Sequence, residues 1–156
     1  MIVVNLKING RLMTTEIEPR ETLLDTLRDK FDLTGAKKGC NEGVCGACTV
    51  LLDGKAVCSC NMFAIEAQNS EITTIEGLDV ERDPVQKAFI EADALQCGYC
   101  TPGQILSARS FLSQLGPEDL ETINEVMIKD ALSGNLCRCG CYNNIVKAIT
   151  KASRVI

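Results

Sequence analysis

Residues Ile2–Ile8 alternate apolar with polar side chains, Arg11–Ile17 do so again, and Asn9-Gly10 stands between them. A period of two marks strands with one buried face, and Asn-Gly is the strongest short hairpin signal, so the chain opens on a β-hairpin. Thr22 is the expected N-cap of a helix over Leu23–Lys30 that gathers Leu23, Leu24 and Leu27 on one face. From Gly35 to Gly46 periodicity vanishes and glycine accumulates, the mark of a loop. Thr49–Leu52 and Lys55–Cys60 flank Asp53-Gly54 as a second hairpin, and Ile72–Ile75 reads as a late short strand. Two hairpins around one crossing helix predict a small mixed sheet, so the first half is α+β.

From about Asp79 the alternation stops. Asp83-Pro84 and Thr101-Pro102 each set a capping residue before a proline at the first helical position. Apolar stripes at helical spacing follow both: Val85, Ala88, Phe89 and Ala92, then Ile105, Ala108, Leu112 and Leu115. Thr122 with Glu125 predicts a capping box for a helix through Leu132. Ile145, Ala148, Ile149 and Ala152 form a fourth stripe, and four amphipathic helices imply a small bundle. The boundary falls near Gly77–Pro84, giving units of residues 1–78 and 79–156.

Composition sharpens this picture. With four Phe, two Tyr and no Trp the core is thin, so bound groups are expected to help hold the fold. The apolar runs are too short to span a bilayer, and the first residues lack the basic and apolar regions of a secretory signal. Cytoplasmic residence is the expectation. Against that background the chain carries ten cysteines and no histidine. A disulfide framework would suit a shorter, secreted chain better.

Eight of the cysteines fall into two sets. The first is Cys40-x4-Cys45-x2-Cys48 in the glycine-rich loop, with Cys58 or Cys60 as a fourth thiolate. These two lie on the same face of a strand, so spacing does not choose between them. The spacing of the first three is the plant-type pattern for a [2Fe–2S] cluster, and Gly39, Gly43 and Gly46 let backbone N–H groups approach its sulfides. The second set joins Cys97-x2-Cys100 to Cys137-x-Cys139, each pair just ahead of an expected helix N-terminus. Free N–H groups and the positive dipole end favour an anionic centre there. Cys97-x2-Cys100 alone also suits a zinc ribbon or a redox pair, but a one-residue spacer is unusual for zinc. Iron–sulfur is therefore favoured at both sets, and the chain reads as an electron carrier.

The formal charge is −5. Each loaded [2Fe–2S] site adds about −2, taking the holo-protein to roughly −9 and arguing against a nucleic-acid partner. Lys37, Lys38 and Arg138 flank the cysteine sets, either as solvated charge or as partial neutralisation of a cluster. Nothing resembles a nucleophile or general-base constellation, so no catalytic residue is expected.

Three stretches carry a family resemblance: Gly39-Cys-Asn-Glu-Gly-Val-Cys-Gly-Ala-Cys-Thr-Val-Leu-Leu-Asp-Gly54, Gln96-Cys-Gly-Tyr-Cys-Thr-Pro-Gly103 and Gly134-Asn-Leu-Cys-Arg-Cys-Gly140. In order, over essentially the whole chain, they resemble the iron–sulfur small subunit of the xanthine oxidase family of molybdenum hydroxylases. The resemblance implies a plant-ferredoxin-like β-grasp domain followed by a four-helix bundle. It implies a large partner subunit that binds molybdopterin and hydroxylates a C–H bond, a medium partner that binds FAD, and a dimer of such heterotrimers. It assigns Cys97, Cys100, Cys137 and Cys139 to the [2Fe–2S] cluster nearer the pterin, and Cys40, Cys45, Cys48 and Cys60 to the one nearer the flavin. Gln96 and Cys139 match positions that approach the pterin. The family hairpin Asp-Gly-Lys-x-Val-x-Ser-Cys puts the fourth ligand at Cys60 and leaves Cys58 as a small buried hydrophobe. Cys141 stands where many relatives carry Gly or Thr. A freestanding two-cluster ferredoxin and a zinc-bound interaction module are the competing classes, and the substrate class stays open because its pocket lies on another chain.

Overall fold

The computed structural model describes residues 1–156. Strands β1 (Ile2–Ile8) and β2 (Arg11–Ile17) pair antiparallel from Ile2↔Ile17 to Ile8↔Arg11. Asn9 and Gly10 both take positive φ, 51° and 75°, the pattern of a two-residue turn whose twist matches the strands. β3 (Thr49–Leu52) and β4 (Lys55–Cys58) form the second hairpin, with Asp53 and Gly54 in the same conformation at 49° and 80°. β5 (Glu71–Thr73) lies between the hairpins, parallel to β1 and antiparallel to β3, so the sheet runs β2-β1-β5-β3-β4. The alternation read from the sequence is the burial pattern: Val4, Leu6, Ile8 and Ile17 face inward with Val50 and Ile72.

Helix α1 (Leu23–Asp25) and the helical turn that continues it pack on this face, burying Leu23, Leu24 and Leu27 completely. Thr22 caps it, its hydroxyl accepting from the Asp25 N–H at 3.1 Å. Only Leu23–Asp25 is α-helical, and the expected continuation to Lys30 is wound as a π-helix over Thr26–Lys30. Tertiary contacts hold the wider turn, because Arg28 donates to the carbonyls of Thr34 and Ala36 at 2.8 and 2.7 Å. Packing, more than helix propensity, sets the winding of so short a segment.

A second core is built by α2 (Pro84–Glu91), α3 (Thr101–Ser113), the short α4 (Pro117–Thr122), α5 (Glu125–Ala131) and α6 (Tyr142–Ala152). Phe89, Leu112, Ile128, Ile145 and Ile149 meet in it, as the stripes require. Asp83 caps α2 by accepting from the Gln86 N–H at 2.9 Å and is ion-paired with Arg109. The Thr122–Glu125 capping box does not form. Thr122 lies at the end of α4, its hydroxyl donating to the Glu118 carbonyl at 3.1 Å, and Asn124 caps α5 by accepting from the Val126 and Met127 N–H groups. An Asx cap two and three residues ahead of free N–H groups satisfies them without Glu125. No helix is long and apolar enough to cross a membrane.

Candidate metal centres

The first cysteine set sits on a loop whose conformation only a few residue types accept: Asn41, Gly43 and Gly46 have φ of 60°, 72° and 67°. That path turns successive N–H groups inward. Those of Glu42, Val44 and Cys45 each reach Cys40 Sγ at 3.4 Å, Cys40 N–H reaches Cys45 Sγ at 3.4 Å, and Gly43 N–H reaches Cys60 Sγ at 3.3 Å. These donors, Glu42 first, hold the Cys40 thiol down at about 7. Burial pushes Cys60 up to about 11. Cys48 is raised by its hydrogen bond with Cys58 and by burial, and the same bond lowers Cys58 to about 7.

The fourth-ligand region departs from expectation. β4 ends at Cys58, and Ser59–Asn61 form a 3₁₀ turn, so Cys58 and Cys60 do not share one strand. Ser59 causes the turn: its N–H and hydroxyl both donate to the Cys48 carbonyl, at 3.4 and 2.7 Å. Cys60 is buried, while Cys58 is only half-buried and touches the Cys48 thiol. Five thiols therefore gather at this loop.

In the second set, Cys97 and Cys100 lie on the bend before α3, with Cys100 as its N-cap. Cys137 and Cys139 lie on the turn before α6, whose N-cap is Cys141. Cys97 interacts with Cys139 and Cys100 with Cys137, and Cys137 also meets the Cys141 thiol. Burial, then Cys137, raises Cys100 to about 12, whereas the Tyr99 N–H, then Cys139, lowers Cys97. Burial opposes ionisation of Cys137, but the Cys141 N–H, the Cys100 thiol and the Cys139 and Gly140 N–H groups outweigh it and lower it. Cys141 is buried in the helical core, and its thiol is raised by burial. No three His, Cys, Asp or Glu side chains converge on a point suited to a single ion. Paired thiols with N–H donors around them are a donor set that fits a dinuclear iron–sulfide centre, with two thiolates to each iron.

The two sets are neighbours. Leu136, next to Cys137, donates its N–H to the Cys45 carbonyl at 2.9 Å. Asn135 Nδ2 donates to the Gly46 carbonyl at 3.2 Å, and buried Gln104 donates to the Asn135 carbonyl at 3.0 Å. Tyr99 OH donates to the Lys38 carbonyl at 2.9 Å. A cavity of 420 Å³ is lined by Cys40, Cys45, Cys97, Cys100, Cys137 and Arg138. The flanking lysines are occupied elsewhere: Lys37 Nζ donates to the Thr34 and Gly35 carbonyls, and Lys38 Nζ pairs with Asp25 at 2.8 Å. Gln96 is solvent-exposed on the bend ahead of Cys97.

Sequence reading missed the residues of this seam. A methyl on Gly103 would overlap the Gly46 carbonyl oxygen and lie 3.4 Å from Ala47 Cα, so α3 touches the first loop through a bare backbone. A glycine in the first turn of a helix, where it costs stability, was the available signal of such an approach. Asn135 is 6% exposed, and a polar residue beside Leu136 and Cys137 gave no comparable cue.

The fold and thiol arrangement define the class, a protein with two [2Fe–2S] domains. A family model described as "2Fe-2S iron-sulfur cluster binding domain" matches residues 6–77, and one described as "[2Fe-2S] binding domain" matches 74–150. The chain belongs to the iron–sulfur small subunits of the xanthine oxidase family of molybdenum hydroxylases. It is 45% identical to the aldehyde oxidoreductase iron–sulfur-binding subunit PaoA of Escherichia coli K12, over 96% of this chain and 71% of that one. It is 46% identical to the nicotinate dehydrogenase small FeS subunit of Eubacterium barkeri, over 97% and 94%. Among solved structures, quinoline 2-oxidoreductase from Pseudomonas putida 86 superposes with a TM-score of 0.88 at 38% identity, covering 99% of this chain and 94% of that one. Relatives of this kind are subunits of oxidoreductase complexes, which places this chain as a non-catalytic, electron-transferring subunit and does not favour a freestanding ferredoxin.

Proposed function

We propose that the chain relays electrons between a molybdopterin-binding large subunit and an FAD-binding medium subunit, in a cytoplasmic complex that is a dimer of heterotrimers. When bound, the two [2Fe–2S] clusters supply the one-electron carriers. Cys40, Cys45, Cys48 and Cys60 hold one, in a unit of residues 1–78, and Cys97, Cys100, Cys137 and Cys139 hold the other, in a unit of residues 79–156. The N–H groups of Glu42, Gly43, Val44 and Cys45 aim at the first set of sulfurs and favour negative charge there. Electrons enter at the Cys97–Cys139 end, where Gln96 and Cys139 face the pterin, and leave from the Cys40–Cys60 end.

One observation carries this reading: cysteines of both sets line one cavity, and the seam beside it is closed by the Leu136 N–H bond to the Cys45 carbonyl. That contact joins the backbone of one proposed ligand to the residue beside another through a single hydrogen bond. The test is Cys45→Ser in the assembled complex, followed by rapid-freeze EPR and turnover on one preparation. Substrate should still reduce the Cys97–Cys139 centre in a single turnover while steady-state transfer to the acceptor collapses. Failure of substrate to reduce that centre while it is intact would reverse the order, and normal turnover would remove the other centre from the route.

A further inference from the structure

The fifth thiol of the first loop is the group that the proposed ligand set leaves unused. Gly43 is contacted by sulfur at both ends of its residue: its N–H donates to Cys60 Sγ at 3.3 Å, and its carbonyl accepts from Cys58 Sγ at 3.7 Å. The Cys48 thiol touches both Cys58 and Cys60. Between the two, Ser59 is turned away and fixed to the Cys48 carbonyl by its N–H and its hydroxyl. The 3₁₀ turn thus presents Cys58 and Cys60 to the same loop residue and to the same third thiol. They differ in what lies behind them. Cys60 is embedded in the sheet core, 7% exposed, whereas Cys58 forms part of the wall of a 480 Å³ cavity shared with Gly43, Ser107, Ser110, Gln114 and Asn135. A side chain on a cavity wall can change rotamer without displacing packed neighbours, so Cys58 has room to move that Cys60 lacks.

We propose that Cys58 is an interchangeable fourth ligand of the first centre, able to close the site when Cys60 does not. This inference rests on the proposed assignment of that centre to Cys40, Cys45 and Cys48. In the exchange the iron–sulfur bond to Cys60 breaks as one to Cys58 forms, and the thiol proton of Cys58 passes to the Cys60 sulfur. No electron is transferred, and the centre keeps its oxidation state. The exchange gives the chain a way to retain the centre after damage to one thiol.

The experiment compares wild type, Cys58→Ala, Cys60→Ala and Cys58→Ala/Cys60→Ala, each reconstituted with iron and sulfide. Iron and sulfide are counted, and the reduced proteins are examined by EPR. Wild type and Cys58→Ala should hold about four iron per chain with the same two signals. Cys60→Ala should also hold about four, with the first centre's signal shifted and the second unchanged, and the double variant should hold about two. Cys60→Ala holding about two, with the second signal intact, would overturn the proposal. Wild type lacking four iron would instead overturn the reading on which it rests.

Should Cys60→Ala fail to fold, shown by loss of the second signal as well, Cys60→Ser preserves side-chain volume and decides the matter beside Cys58→Ala/Cys60→Ser. Cysteine exchange gives the first protein a full thiolate-to-iron absorption that the second loses. Identical spectra would mean that the introduced serine itself ligates, or that no fourth ligand is needed, and the proposal would fall.

Discussion

Replacing Gly103 with alanine tests the seam between the two thiol sets. The new methyl would overlap the Gly46 carbonyl oxygen, with Ala47 Cα 3.4 Å away, so backbone and not a flexible side chain stands in its way. Carbon and oxygen need more than about 3 Å, which requires the first loop and α3 to separate by about 1 Å. Two hydrogen bonds cross at that point, from Leu136 N–H to the Cys45 carbonyl and from Asn135 Nδ2 to the Gly46 carbonyl. Losing both costs about 2–4 kcal/mol: the Cys45 carbonyl is left short of a donor, whereas the Gly46 carbonyl keeps the Thr49 N–H and hydroxyl and forfeits only an additional bond. Alanine's higher helix propensity returns up to about 1 kcal/mol, leaving a net loss of about 1–4 kcal/mol. For a chain of this size that lowers Tm by about 2–16 °C. Gly134→Ala is the control, since a methyl there meets nothing within 4 Å. Thermal unfolding of the cluster-loaded proteins by circular dichroism measures the loss, and the magnetic interaction between the two reduced centres reports their separation. A Gly103→Ala protein that melts at or above wild type, with unchanged interaction, would refute the close-contact reasoning.

The other predictions are quicker to state. Asp83→Ala removes both the α2 cap and the partner of Arg109; because Arg109 is 42% exposed it keeps solvation, so the cost should be near that of a lost cap, about 1–2 kcal/mol by chemical denaturation. A loss well beyond that would mean that the ion pair itself dominates. Lys38→Met combined with Asp25→Asn removes the ion pair as a neutral unit and should leave the potential of the first centre unchanged in a redox titration; a clear fall would restore the neutralising role of Lys38. Asn135→Ala should destabilise the chain while both centres still load, since its side chain closes the seam and touches no sulfur in the hydrogen-bond pattern; loss of either EPR signal would make it part of a site.

What the sequence made legible was whatever repeats locally. Alternation in Ile2–Ile8 and Arg11–Ile17, and the Asn9-Gly10 and Asp53-Gly54 turns, lead directly to the two observed hairpins. The helical stripes through Phe89, Leu112 and Ile149 lead to the second core. The cysteine spacing points to the same iron–sulfur chemistry as the two matched families. Less legible were features fixed by distant contacts. The π-helical winding after Asp25 depends on Arg28 reaching Thr34 and Ala36, and the end of β4 at Cys58 depends on Ser59 bonding the Cys48 carbonyl. The Thr122 box lost to Asn124 because two capping residues stood within reach of one helix start, and spacing does not weigh them. The seam of Gly46, Gly103 and Asn135 joins residues far apart in the chain, and no periodicity marks it.

The most direct test of an electron-relay subunit with two centres is metal analysis of the purified wild-type chain beside EPR of its reduced form. About four iron and about four acid-labile sulfide per chain, with two distinct signals, is the expected result. A colourless protein carrying stoichiometric zinc, or iron sufficient for one centre only with a single signal, would contradict it.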